Sequence, residues 1–281
     1  MDYERFFRLS GDPFANVPDN RFYFDSVPHS QGVLRLSHAA ERMRGLSILT
    51  GEVGTGKTML ARRMLEILRE DGRFETALLV LTHSEFTPIW FVRRVATLLG
   101  LKDIPEEKTK VVSMLSQRLM EIHNEGKKAV LIIDEANMLQ TKEVLEEMRG
   151  LLNLEISDAR LITFLLFGLP ELDEQLTKDT ALRQRVAVRF KLESLDGDAV
   201  KGYIKHRLAV AGRTEDLFTD TAFDLINRHS QGRPRLINAI CDNALLEACL
   251  LEKEMIDASI VQAVVTSLIL SEKAAEEEKK E

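Results

Sequence analysis

Along the first two thirds of this chain, short continuous apolar runs alternate with longer stretches whose apolar residues return every three or four positions. Five runs have strand length: 46–50 (LSILT), 75–83 (ETALLVLTH), 128–136 (KAVLIIDEA), 159–168 (ARLITFLLFG) and 186–195 (VAVRFKLESL). The run at 128–136 is apolar without alternation and ends in two acids, as a strand covered on both faces would. KTMLARRMLEILRE from Lys57, PIWFVRRVATLLG from Pro88, EEKTKVVSMLSQRLMEIHNEG ending at Gly126, and TKEVLEEMRGLLNLE from Thr141 carry the helical period. Strands separated by helices predict an α/β fold with a five-stranded parallel sheet, whose chemistry belongs at the strands' C-terminal ends. From Asp196 onward the pattern is purely helical, in DAVKGYIKHRLAVAG, TDTAFDLINRHS, RPRLINAICDNALLEACLLEK and IDASIVQAVVTSLIL. A boundary near residue 195 therefore separates a sheet-based core (46–195) from a small helical bundle (196–270). The charged tail 271–281 has almost nothing to bury and is expected to be disordered or a frayed helix end.

Composition narrows the class. With 281 residues, 44% hydrophobic and 30% charged, the chain can bury a full core in one large domain or two small ones. No apolar run reaches membrane-spanning length, and MDYERFFRLS lacks the apolar centre of a secretion signal, so the cytoplasm is the expected location. A net charge of −7 argues against non-specific coating of nucleic acid, while leaving room for local patches. Cys241 and Cys249 lie eight apart on one predicted helix, too far to bridge. The six histidines show no ligand spacing, so no metal beyond magnesium is expected. Arg62-Arg63, Arg93-Arg94 and Lys127-Lys128 fall on different elements and read as solvated faces, and Trp90 reads as a core residue.

Two short stretches carry chemistry. GEVGTGKT follows the first strand, and its glycines Gly51, Gly54 and Gly56 leave backbone N–H groups bare for an anion. Gly51, Glu52, Val53, Gly54, Thr55, Gly56, Lys57, Thr58 and Met59 form the expected phosphate cradle. Lys57 supplies a point charge to the outer phosphates, Thr58 a magnesium ligand, and the helix that begins there its positive end. The bland alternative, a glycine-rich turn, does not explain a strand before the loop and an amphipathic helix after it. Asp134 and Glu135 end the third strand, where Asp134 can serve the metal and Glu135 orient or deprotonate the attacking water. A solvated strand end is the bland reading, and the upstream phosphate loop tips the balance toward chemistry.

The phosphate loop, the IIDEA strand and the all-helical C-terminal part resemble an AAA+ ATPase. FFRLSGDPFANVPDNRFYFDSVPH, LTGEVGTGKT, FGLPEL and GRPRLINAICDNALL narrow the resemblance, over about residues 3–270, to the ExeA/GspA-like ATPases associated with general (type II) secretion. The resemblance implies binding and hydrolysis of ATP with Mg2+ by an oligomer, and makes 196–270 a lid domain. It gives residues 1–45 as a segment and helix packing on the nucleotide site. Pro13, Phe14 and Tyr23 become candidates for the adenine pocket, with core packing the alternative for the two aromatics. Arg235, opening a lid helix, matches the arginine that senses the γ-phosphate, while Arg233 is expected on the surface. Of Arg183, Arg185 and Arg189, Arg185 best matches the finger contributed in trans to the neighbouring copy, a task suited to a permanently charged fork. Two departures concern hydrolysis: Leu169 stands where relatives carry a polar sensor, and Thr82 where many carry an asparagine. They lead to the expectation of a slow or partner-stimulated ATPase. Relatives commonly continue into a membrane segment and a peptidoglycan-binding domain. The expected role is therefore assembly of a cell-envelope machine, with a membrane-embedded partner and recruitment to the inner membrane. The alternative is an ATP-dependent DNA-binding regulator of the MuB/TniB type, and a third reading is a scaffold that binds nucleotide without turnover.

Overall fold

The computed structural model describes residues 2–84, 86–156 and 159–278. Helices α1 (Tyr3–Phe6) and α2 (Val27–Glu41) precede strand β1 (Leu46–Thr50); α3 (Lys57–Glu70), β2 (Phe74–Val80), α4 (Pro88–Leu98), α5 (Lys108–Asn124), β3 (Lys128–Asp134) and α6 (Lys142–Leu152) follow. After a two-residue antiparallel hairpin, Glu155–Ile156 with Ala159–Arg160, come β4 (Ile162–Gly168), α7 (Glu171–Lys178), α8 (Thr180–Arg183) and β5 (Val186–Lys191). The five long strands form one parallel sheet in the order β2-β3-β4-β1-β5, confirming the expected α/β class. The apolar pattern predicts one strand over 159–168, but its first two residues turn into the hairpin, and β4 begins only where every side chain is buried.

The uninterrupted apolar run of β3 has a direct physical cause, since the sheet is covered on both faces. Leu131 and Ile133 pack with Phe91, Val95, Leu115, Leu119 and Met148 from α4, α5 and α6. Val130 and Ile132 pack with Leu36, Leu60 and Met64 from α2 and α3. Burial of each such side chain contributes roughly 1.5–3 kcal/mol. Trp90 corrects an expectation: Phe91 and Val92 take the core side of α4, and Trp90 stays 36% exposed, stacked at 5.1 Å on Phe86.

The chain divides into two compact units, one of residues 27–53 and 57–193, the other of residues up to 26, 54–56 and from 194 onward. The N-terminal 45 residues are thus split, with α2 joining the sheet and the first 26 joining the helices. The helical unit contains α9 (Gly197–Val210), α10 (Asp220–Ser230), α11 (Pro234–Leu250) and α12 (Ala258–Glu278). Asp196 and Thr219 cap α9 and α10 by accepting from Ala199 N at 2.8 Å and Ala222 N at 3.2 Å, and Pro234 opens α11. Phe7 and Phe14 are enclosed with Tyr203, Phe218, Ile226 and Ile240 in this unit's core, which is why the N-terminal segment belongs to it. Cys241 and Cys249 are both free and buried. Helix α12 continues to Glu278, through most of the tail expected to be disordered or a frayed helix end, and residues 279–281 lie outside the described residues. Among the described residues no helix is long and apolar enough to cross a membrane.

Candidate functional site

The phosphate loop joins β1 to α3. Gly54 and Gly56 adopt φ of +80° and +100°, which side chains oppose, so the glycine spacing is a backbone requirement. Thr55 between them is buried, Glu52 and Val53 are exposed, and Met59 lies half-buried in the first turn of α3. Lys57 is only 7% exposed, and its ammonium donates to the carbonyls of Gly51 and Glu52, both at 2.9 Å. Burial holds its pKa below the usual lysine value, against the opposing pull of Glu135 and Asp134.

Asp134 ends β3 at 1% exposure. It accepts hydrogen bonds from the Thr58 hydroxyl and, at 3.0 Å, from the Glu135 N–H. Burial still raises its carboxyl above the ordinary range, outweighing those bonds and the Lys57 charge. At Glu135 the backbone turns left-handed, with φ +54° and ψ +36°, and enters the 3-10 turn Ala136–Met138. Thr58, Asp134, Lys57 and Glu135 are thereby brought together as the sequence implied. A hydroxyl beside a buried carboxylate is the hard oxygen donor set that suits magnesium, and a half-withdrawn lysine beside bare glycine amides suits phosphate. The residues present fit the Mg2+ nucleotide that the motif implies.

One residue here escaped the sequence reading. Asn137, 7% exposed, accepts through Oδ1 from the N–H of Leu169 at 3.1 Å. A Cβ on Gly168 would lie 3.0 Å from that oxygen, so the glycine lets the end of β4 close onto Asn137. Gly51 N–H in turn donates to Gly168 O at 3.2 Å. The departure at Leu169 therefore affects its side chain only, because its amide is engaged. The signal lay in the asparagine two places after Glu135, with nothing nearby in sequence to pair it.

The arginines before β5 differ in their surroundings. Arg185 donates to Ala181 O at 2.9 Å and to Asn153 Oδ1 at 2.7 Å, both neutral acceptors. Arg189 is ion-paired with Asp173, and Arg183 is exposed. Thr82 is exposed in the loop that follows β2.

In the helical unit, Arg235 is the second residue of α11 and is exposed. Its N–H donates to Gly54 O at 3.2 Å, and a Cβ on Gly54 would fall 2.9 Å from the Arg235 Cβ. Arg233 pairs with Gln231 Oε1 at 2.8 Å. Phe14 is 2% exposed, edge-on to Phe218 with centroids 6.4 Å apart, which is the core environment weighed as its alternative. Tyr23 is half-buried, and His206 hydrogen-bonds its backbone.

A parallel sheet in this order, a phosphate loop after β1, paired acids at the end of β3 with β4 between the two strands, and a following helical unit define an AAA+ P-loop protein. An AAA-domain family model matches residues 40–176. General secretion pathway protein A of Aeromonas hydrophila is 33% identical over 249 residues, which cover 88% of this chain and 45% of that protein. The chain is an AAA+ P-loop protein similar to general secretion pathway protein A, and it spans slightly under half the length of that relative. Among solved structures, Drosophila ORC bound to DNA aligns with a TM-score of 0.69 at 17% identity, covering 96% of this chain and 66% of that one. The Aeropyrum pernix ORC2 protein aligns at 0.63 and 15%, covering 88% and 71%. The Thermotoga maritima RuvB Holliday junction branch migration motor aligns at 0.57 and 19%, covering 88% and 73%. At such identities these likenesses speak for the fold alone.

Proposed function

We propose that this chain binds Mg2+–ATP at the 51–59 loop, hydrolyses it within an assembly of copies, and uses the cycle to drive or regulate assembly of a cell-envelope machine. The observation that carries the reading is the cluster of Lys57, Thr58, Asp134 and Glu135 at the ends of β1 and β3. Lys57 and the loop amides hold the phosphates, Thr58 and Asp134 hold the metal, and Glu135 takes the proton of the attacking water. Bound magnesium would neutralise phosphate charge. Asn137, by fixing the Leu169 amide, keeps the end of β4 in register with the loop.

The surroundings of Arg185 support its role in trans. Its fork is oriented by two neutral acceptors and keeps its full charge for a partner's phosphate. Arg235 is the corresponding contribution of the chain's own lid. The Leu169 side chain cannot donate a hydrogen bond, which supports slow or partner-stimulated turnover. The relative's name supports a secretion-linked role, and the partner this reading calls for is an envelope protein at the inner membrane. The net charge of −7 keeps the DNA-regulator alternative second. A Glu135→Gln variant tests the chemistry: nucleotide affinity is retained while phosphate release falls by about 10²–10⁴-fold. Undiminished release, or rapid turnover by highly dilute protein, would contradict the proposal.

A further inference from the structure

Arg207 sits on α9 at 6% exposure, and its fork is filled by uncharged groups. Nε donates to Pro13 O, Nη2 to Ala15 O at 3.0 Å and Nη1 to the Tyr203 hydroxyl at 2.8 Å. The guanidinium lies 4.7 Å from the centroid of the Phe22 ring, within cation–π range. The Tyr203 hydroxyl donates to Asn238 Oδ1 at 2.9 Å, and Asn238 Nδ2 donates to Asn16 Oδ1 at 3.3 Å. Every member belongs to the helical unit. One buried cation thus fixes the strap 13–23 to α9, and one amide fixes the same strap to α11, three residues beyond Arg235.

A buried charge with several donors is a costly way to gain stability alone, but it sets register well, since only a guanidinium offers donors in a rigid fork. The strap is the segment implied to face the adenine. Phe14 is enclosed in the core and Phe22 lies against the guanidinium, while Tyr23 is half-buried with its backbone hydrogen-bonded by His206.

We propose that Arg207 is a positioning residue that makes the strap and the start of α11 one body, so that the adenine and γ-phosphate ends of the nucleotide are read together. This rests on the nucleotide reading above and goes further, because it makes the value of Arg235 depend on the base. Calorimetric titration with Mg2+–ATP and with Mg2+–tripolyphosphate, which lacks the base, separates the two.

In the wild type, Arg235→Ala should weaken ATP binding about tenfold more than tripolyphosphate binding, an ordinary size for coupling between sites. With Arg207→Met the two losses should become equal. Tyr203→Phe, which keeps the ring and removes both hydroxyl bonds, should act in the same direction and protects the test against misfolding of the arginine variant. Equal losses in the wild type, or a difference that survives in both variants, would overturn the inference. Failure of the wild type to bind either ligand would instead remove the nucleotide reading, and this inference with it.

Discussion

The substitution Asp134→Asn should make the ligand-free protein more stable and the loaded protein less so. Burial is the largest influence on the Asp134 carboxyl, ahead of the Thr58 hydroxyl, the Glu135 N–H and the charge of Lys57, and it raises the pKa above 3.8. A raised carboxyl pKa means that the native state binds the proton more tightly than the unfolded chain. Stability is then lost as pH climbs from 3.8 through the folded value, and above that value the full penalty is present. The asparagine amide keeps an oxygen for both donors and carries no charge to desolvate. Relief of a functional-site strain of this kind is on the order of 1 kcal/mol, which raises Tm by about 2–4 °C in a protein of this size class. Mg2+–ATP at about 100 times its Kd stabilises the wild type by roughly 2.7 kcal/mol, and Asp134→Asn should lose most of that with its metal ligand. The melting order should therefore invert: variant above wild type without ligand, below it with Mg2+–ATP. As pH falls through the folded value the ligand-free gap should narrow, because the wild-type carboxyl takes up its proton. Thermal melts followed by circular dichroism, with and without Mg2+–ATP, decide the matter. A ligand-free variant that melts lower at neutral pH would mean that attraction between Asp134 and Lys57 outweighs burial, and the reasoning would fail.

Arg185→Ala should leave the nucleotide affinity of dilute protein unchanged and flatten the rise of specific phosphate release with protein concentration, and lysine should not restore it, since it lacks the fork. Asn137→Ala should cost about 1–3 kcal/mol in urea unfolding, because the Leu169 N–H loses its acceptor in a buried setting. Phe14→Ala should cost roughly 3–5 kcal/mol by the same measurement, as deletion of an enclosed aromatic does. Tyr23→Ala, by contrast, should show its main effect on ATP affinity and little on that of tripolyphosphate.

The parts of this architecture written in local periodicity or in a contiguous motif were legible before any coordinates. Lys57 begins α3 and Asp134 ends β3 because the same residues that set the apolar pattern also end it. The positive φ at Gly54 and Gly56 could be anticipated from the motif's spacing. Asn137 could not, because its partner amide lies 32 positions away at the end of β4. Arg207 was further out of reach, since the carbonyls it holds are 194 and 192 positions distant. On α9 it reads as one more charged residue of an amphipathic surface, and only tertiary packing turns it inward. Trp90 failed for the opposite reason: its two neighbours satisfy the core face, and a single large side chain at a helix start gives no sense of direction.

The left-handed backbone at Glu135 narrows the routes by which the protein can drift. Branched side chains are excluded from that corner of conformational space, and asparagine, aspartate and glycine enter it most easily. Each of those residues shortens or deletes the acid while leaving Lys57, Thr58 and Asp134 in place. Under the proposed function, the substitutions this backbone tolerates best would leave nucleotide bound and end its turnover, so that a latch lies one change away from the working protein.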